Sequence, residues 1–255
     1  MTSFDLTGRL ALVTGSRRGI GRAIAEAFLA AGARVVLNSP DAGQLEAAAD
    51  ELRAAGYADA VLTCAFDVAS GEEAEETLTR FVDEHGCPDI LVNNAGIQVR
   101  GPLTTLSLPD WRRVVETDLT SAFVVGRTVA RGMIARGSGK IINICSVQNH
   151  LVRPTTAAYA AAKSGLGGLT RSMCAEWAGY GLQVNGLAPG YLDTELNATL
   201  VDDPEFTAWI TRRTPAGRWG RPEDVTGPAV WLASPASDFV NGQVIFVDGG
   251  LTAVI

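Results

Sequence analysis

Ser146, Tyr159 and Lys163 carry the strongest chemical pattern in the chain. Tyr159 and Lys163 stand four apart in a stretch that reads as helix, so they share a face. Ser146 ends a short β-type run. A serine, a tyrosine and a lysine placed this way converge on one carbonyl oxygen. The phenol gives or takes the proton, and the hydroxyl bonds the oxygen as charge develops on it. An ordinary phenol titrates near 10, too high for a proton shuttle at neutral pH. An ammonium about 4 Å away, at an effective dielectric near 20, favours tyrosinate by roughly 4 kcal/mol. That is about three pH units, so Tyr159 is expected to titrate towards 7.

These residues need a scaffold, and the chain reads as alternating strands and helices. Strands are expected at Arg9–Thr14, Arg34–Asn38, Ala60–Phe66, Asp89–Asn93, Lys140–Ser146, Leu182–Ala188 and Gln243–Val247. Helices are expected at Ile20–Ala31, Ala42–Ala55, Gly71–His85, Pro109–Arg136, Thr156–Ala178 and Pro222–Ala233, with helical pieces over Leu196–Arg213 broken by Pro204. Continuous apolar strands separated by helices indicate a parallel sheet covered on both faces. The expected fold is α/β: a single-domain, doubly wound Rossmann fold over residues 1–255, with a seven-stranded parallel sheet. Ligands bind such a sheet beyond the carboxyl ends of its strands, near the switch in strand order.

The loop after the first strand is Thr14-Gly15-Ser16-Arg17-Arg18-Gly19-Ile20-Gly21. Its glycines let the backbone turn tightly and approach a pyrophosphate at the start of the next helix. The spacing is GxxxGxG, which alone is a weak signal. After the fourth strand, Asn94-Ala95-Gly96 offers small residues against which a ring can pack.

The glycine loop, Asn93-Asn94-Ala95-Gly96, Ser146/Tyr159/Lys163 and Pro189-Gly190 together resemble the short-chain dehydrogenase/reductase family over essentially the whole chain. Longer stretches at 94–98, 142–148, 185–191, 213–220 and 239–242 are similar to members that interconvert D-gluconate and 5-keto-D-gluconate. The resemblance implies hydride transfer between a nicotinamide cofactor and a sugar acid, with Lys163 also holding the nicotinamide ribose hydroxyls. It implies cofactor contacts from Pro189, Gly190, Leu192 and Thr194, and a substrate segment at about 190–220. A fourth catalytic position is usually Asn and here is Asp118, seven residues after Trp111. The family Asn holds a water in a proton relay. An ionised Asp118 would damp the effect of Lys163 on Tyr159. The alternatives are a 3-oxoacyl-thioester reductase of the same family and a catalytically silent NADP-binding sensor.

Cofactor choice turns on the end of the second strand, where an acidic residue would bond the adenosine 2′-hydroxyl and repel a 2′-phosphate. Asn38-Ser39-Pro40 stands there, and Asp41 comes three positions late. Arg17 and Arg18 lie close by, and the planar guanidinium suits phosphate. NADP(H) is therefore favoured over NAD(H), with Asp67 and Val68 flanking the adenine. A sugar-acid carboxylate needs a local cation in an acidic chain. Arg100 and Arg153 are the candidates, with Gln148, Tyr191, Ser146 and Tyr159 completing the substrate side.

The remaining composition excludes several functions. The chain has 255 residues, 47% hydrophobic and 19% charged, too apolar for a disordered segment. Lys+Arg number 21 against 28 Asp+Glu, a formal charge of −7, which argues against nucleic-acid binding. Met1–Gly8 does not read as a secretory leader, and no apolar run reaches membrane-spanning length. A cytoplasmic protein is expected. Cys64, Cys87, Cys145 and Cys174 are scattered without CxxC, so neither a metal site nor a disulfide framework is expected. His150 lies in a loop, Cys145 should point away from Ser146, and Glu72, Glu73, Glu75 and Glu76 read as a solvated helix face. Trp209, Trp219 and Trp231 read as packing residues. Ala157, Ala158, Ala160, Ala161, Ala162, Gly165, Gly167 and Gly168 leave the helix around Tyr159 open to a second helix. With the resemblance this implies a homotetramer of closed symmetry.

Overall fold

A computed structural model of the chain describes residues 4–255. The expectation for Met1–Gly8 extends to residues 1–3, which lie outside the described residues. Strands β1 (Leu10–Val13), β2 (Arg34–Ser39), β3 (Val61–Ala65), β4 (Ile90–Asn93), β5 (Gly139–Ile144), β6 (Leu182–Pro189) and β7 (Val244–Val247) form one sheet. Their order is β3-β2-β1-β4-β5-β6-β7, and every pairing is parallel. Strand order reverses between β1 and β4, which opens a crevice at their carboxyl ends.

Successive side chains leave a strand on opposite faces, and both faces here are covered. Ala11, Val13, Val35 and Leu37 pack with Ile24 and Phe28 of α1 (Gly19–Ala30) and Leu232 of α9 (Glu223–Ala233). Leu10, Leu12, Val36 and Leu91 meet Leu78 and Phe81 of α3 (Gly71–His85) and Val125 and Val129 of α5 (Ser121–Arg136). Burying a side chain of this size stabilises by about 1.5–3 kcal/mol. β1 and β4 are buried at every position, which is why they read as unbroken apolar runs.

A polar ladder seats α6 (Ala157–Trp177), the helix of Tyr159 and Lys163. Asn93 Nδ2 donates to Asn143 Oδ1 (2.8 Å), and Asn143 Nδ2 donates to Thr170 Oγ1 (2.9 Å). The Thr170 hydroxyl donates to the Leu166 carbonyl (2.8 Å). All three side chains are buried, and a ladder fully bonded in the core fixes helix to sheet.

Some elements differ from expectation. The single helix expected over Pro109–Arg136 is α4 (Leu108–Val115) and α5, joined by a π-helical turn at Glu116–Thr120. Thr117 and Ser121 hydroxyls donate to the carbonyls of Arg113 (2.8 Å) and Thr117 (2.5 Å), supporting the widened turn. Helix α2 (Ala42–Leu52) ends before a second such turn, Arg53–Tyr57, where Gly56 takes φ 106°. β5 stops at Ile144 because Ser146 caps the short turn Val147–Asn149. The pieces after β6 are a turn at Glu195–Asn197, α7 (Ala198–Val201) and α8 (Pro204–Arg213). Pro222 stands at the N-cap of α9 rather than inside it.

Most small residues of α6 are consumed within the chain, which weakens the reading of them as a partner's seat. A Cβ on Gly165 would lie 2.8 Å from Leu119 Cδ2, and one on Gly167 would lie 2.5 Å from Asn149 Nδ2. Ala158, Ala160 and Ala162 are buried, and Ala161 stays exposed. Among the described residues no helix is long and apolar enough to cross a membrane.

Candidate active site

The crevice holds a cleft of about 950 Å³ running from Ser39 and Arg18 to Ser146, Tyr159 and Lys163. Its floor begins with the glycine loop. Gly15 takes φ 60°, the left-handed region that favours glycine. Gly21 is a close approach: a Cβ there would lie 2.4 Å from Asn94 Nδ2 and 2.6 Å from the Gly15 carbonyl. α1 starts at Gly19 with no side chain capping its first turn, so those N–H groups face the cleft free for an anion. Gly15, Arg17, Arg18, Gly19 and Ile20 line the cleft.

Three expected cofactor residues lie behind the surface and brace it. Asn38 is buried. Its Oδ1 accepts from the Gly15 N–H (3.2 Å), and its Nδ2 donates to the Cys64 and Phe66 carbonyls (3.0 and 3.1 Å). Ser16 Oγ accepts from the Asn38 N–H (3.0 Å). Asn38, Ser16 and Gly21 therefore shape the loop from beneath. The cleft wall at the end of β2 is instead Ser39, Pro40, Asp41 and Gln44. Asp41 is nearer the site than its sequence position suggested, but its carboxylate caps α2, accepting from the Gln44 N–H (2.9 Å) and Nε2 (2.8 Å). Asp67, Val68, Ala95, Gly96, Pro189, Gly190, Leu192 and Thr194 line the cleft. Asn94 lines it too and holds the glycine loop, its Nδ2 donating to the Thr14 and Gly15 carbonyls (2.8 and 3.0 Å).

Ser146, Tyr159 and Lys163 meet at the inner end. Ser146 Oγ accepts from the Gln148 N–H (3.1 Å), leaving its own proton free to donate. Lys163 Nζ lies 5.5 Å from the Tyr159 ring centroid and donates to the Ile144 carbonyl (2.9 Å). Asp118 projects from the π-helical turn to within 3.4 Å of Lys163 Nζ. The electrostatics correct the expectation for Tyr159. Although its ring is partly accessible, the phenol is densely surrounded, and burial raises it above its ordinary value despite the pull of Lys163. Asp118 pushes the same way. The simple Coulomb argument counted the ammonium and omitted desolvation and the carboxylate. Asp118 is itself raised by burial, partly offset by Lys163.

Arg100, Arg153 and Tyr191 lie close enough to act on one another, and neither they nor Gln148 line the cleft. Gln148 Oε1 accepts from the Thr156 hydroxyl (2.8 Å), so its amide braces the start of α6. Arg100 donates to Gln98 Oε1 (3.2 Å) and Thr199 Oγ1 (3.0 Å). Arg153 stacks its guanidinium 5.1 Å over the Phe206 ring centroid. Burial and the like charge of Arg153 lower Arg100. Arg100 Nη2 and Arg153 Nε are buried without a hydrogen bond. Two such cations side by side, each with a nitrogen unbonded, suit an anionic group.

Tyr191, Phe206, Trp209 and Trp219 pack together, with ring centroids 5.3–6.4 Å apart. Trp231 donates to the Ala236 carbonyl (3.3 Å) and packs away from the cleft. His150 tilts onto Phe246, centroids 4.9 Å apart, outside the catalytic group. Cys145 is buried and its thiol is pushed up by burial. Glu195, which lines the cleft, was missed by the sequence reading. Thr155 takes φ 72°, strained for a β-branched residue, where its carbonyl accepts from the Gly101 N–H (3.0 Å). No local sequence pattern marks such a position.

A doubly wound sheet with a glycine loop and a Ser/Tyr/Lys group at one strand edge defines a dinucleotide-dependent oxidoreductase. Comparison with known proteins specifies it further. A family model described as Enoyl-(Acyl carrier protein) reductase matches residues 15–252. Gluconate 5-dehydrogenase of Gluconobacter oxydans (strain 621H) is 49% identical over 249 residues, covering 98% of this chain and 96% of that protein. The 5-keto-D-gluconate 5-reductase of Escherichia coli (strain K12) is 43% identical over 252 residues, covering 99% and 98%. The crystal structure of a gluconate 5-dehydrogenase from Burkholderia cenocepacia J2315, in complex with NADP and tartrate, matches with TM-score 0.96 at 51% identity, covering 99% and 98%. The chain belongs to the short-chain dehydrogenase/reductase family.

Proposed function

We propose that the chain interconverts D-gluconate and 5-keto-D-gluconate, or a similar sugar acid, with NADP(H). One observation carries this: the Ser146/Tyr159/Lys163 group shares its cleft with one pair of arginines, and a second pair keeps unbonded nitrogens outside the cleft lining. Arg17 and Arg18 line the far end of the cleft. Arg100 and Arg153, which are not among the residues lining the cleft, present buried, unbonded nitrogens. The first pair suits a 2′-phosphate and the second a carboxylate. The names of the Gluconobacter and Escherichia relatives, and the NADP complex of the Burkholderia protein, support the same reading.

The uncapped start of α1 and the glycine loop would hold the pyrophosphate, Asp67 and Val68 the adenine, and Lys163 the nicotinamide ribose. When bound, the reduced nicotinamide supplies the hydride. The protein's own work is proton handling. In the reducing direction the Tyr159 O–H bond breaks towards the substrate oxygen, and its electron pair stays on Tyr159 as tyrosinate beside Lys163. Ser146 Oγ donates a hydrogen bond to the same oxygen, stabilising its developing charge. In oxidation Tyr159 takes the proton back. The segment at about 190–220 provides the substrate wall through Tyr191 and α8.

A 3-oxoacyl thioester offers no carboxylate to Arg100 and Arg153. A silent sensor has no use for the assembled Ser146/Tyr159/Lys163 group. Assembly as a homotetramer completes the proposal, resting on the exposed Phe123 and Ala161. NADPH oxidation assayed with 5-keto-D-gluconate and a panel of keto acids, neutral ketones and acyl thioesters tests the reading. Turnover fastest with keto sugar acids is expected, and turnover only of acyl thioesters would overturn it.

A further inference from the structure

The wall behind Lys163 contains a carboxylate. Asp118 is buried, and its Oδ1 accepts from the Ile97 N–H (2.8 Å). Its Oδ2 faces Lys163 Nζ at 3.4 Å and makes no hydrogen bond. The neighbouring Gly96 keeps room for the pair: a Cβ there would lie 2.9 Å from Asp118 Oδ2 and 3.4 Å from Lys163 Nζ. One buried ammonium thus stands between two groups that compete for it, a carboxylate and a phenol.

We propose that Asp118 is a positioning residue that shares the Lys163 charge with Tyr159 and so sets the pH range in which each direction of the reaction runs. The proposal rests on the acid/base role given to Tyr159 above. An uncharged side chain at 118 would leave the whole field of Lys163 acting on the phenol. A carboxylate cancels part of that field and directly disfavours a nearby tyrosinate. It also stabilises the charge of a lysine that burial alone would tend to neutralise.

The other groups facing the pair do not reverse this balance. From the end of β5, Cys145 presents a thiol raised by burial, neutral near pH 7, with Arg171 acting on it from α6. Ser146 favours the ionised phenol without reversing the rise, and Ile97 contributes its backbone N–H to Asp118. The leading influences on Tyr159 and Lys163 include no second cation. Tyr159 therefore keeps its proton at neutral pH, the form that reduces a carbonyl. Alcohol oxidation needs tyrosinate and rises only as the medium turns alkaline.

The test is an NMR pH titration of the unliganded chain carrying ring-labelled tyrosine, with the Tyr159 signal assigned by its loss in Tyr159→Phe. The unaltered chain is expected to hold Tyr159 protonated to a higher pH than an ordinary phenol, because burial raises it. Asp118→Asn retains an acceptor for the Ile97 N–H and is expected to lower the proton affinity of Tyr159 about tenfold, one pH unit. The alkaline limb of gluconate oxidation should move down with it while KM stays unchanged. An unmoved Tyr159 midpoint in Asp118→Asn overturns the proposal. So does a midpoint near 7 in the unaltered chain, whether or not the variant folds. Failure of every sugar acid to turn over would instead overturn the functional reading, because the titration needs no substrate.

Discussion

Arg18, in the glycine loop, pairs with Glu195, 177 residues further along the chain, across the open side of the cleft. Both side chains are exposed and both line the cleft. A 2′-phosphate seeking Arg18 must take it from Glu195. An exposed pair of this kind is weak, so the competition is modest. Glu195→Gln is expected to tighten NADPH binding by up to about fivefold and to leave NADH unchanged. Fluorescence titration with both nucleotides checks this. Equal tightening for the two would mean that Glu195 acts on the cleft and not on the phosphate.

The outer arginines make a separate prediction about substrate charge. Arg100→Ala should cost kcat/KM for 5-keto-D-gluconate about 10- to 150-fold, the range for a lost charged hydrogen bond. A neutral ketone should be reduced almost as well as before. Arg153→Ala should act in the same direction, with an added loss from its stacking on Phe206. Equal losses on charged and neutral substrates would place Arg100 in the scaffold instead.

The sequence shows the catalytic centre more clearly than its surroundings. Ser146, Tyr159 and Lys163 were legible because strand ends and helical spacing fix them locally. The seven strands were legible because a sheet buried on both faces leaves unbroken apolar runs. Asn38 was misplaced because strand alternation does not say that its amide would be spent on the Gly15 N–H and two carbonyls. The π-helical turn at Glu116–Thr120 was invisible because its propensities are those of an ordinary helix. Without that turn the aim of Asp118 at Lys163 could not be read. Tyr159 lines the cleft, but its titration was not legible, because desolvation depends on neighbours gathered from distant parts of the chain.

Acid should loosen the wall that carries Gly220. Asp224 accepts from Arg218 through two bonds (2.7 and 2.9 Å) and from the Arg221 N–H (2.7 Å). These hold its carboxyl at about 2, below the ordinary 3.8. The folded value is depressed, so the stabilisation is fully present above the ordinary value and is lost as pH falls from there through about 2. Asp224→Asn should lower Tm by about 2–4 °C at pH 7, after allowance for solvent screening. The difference from the unaltered chain should fade below the ordinary carboxyl value. Thermal unfolding followed by circular dichroism at several pH values checks this, and a difference that persists unchanged at pH 2 would contradict it.

Assembly gives a further expectation. Phe123 remains 46% exposed on α5, a large apolar surface for a free helix face. Sedimentation at micromolar concentration should show a tetramer, and Phe123→Glu should shift it towards smaller species. A monomer in the unaltered chain would contradict the proposed assembly.

The most direct measurement follows NADPH absorbance with 5-keto-D-gluconate, in the unaltered chain and in Tyr159→Phe. The unaltered chain should consume NADPH, far faster than NADH. Tyr159→Phe should bind NADPH as before and lose turnover by about 10²- to 10⁴-fold, the scale of a deleted general acid. Undiminished turnover in Tyr159→Phe, or no consumption of NADPH by the unaltered chain with any keto sugar acid, would contradict the assigned reaction.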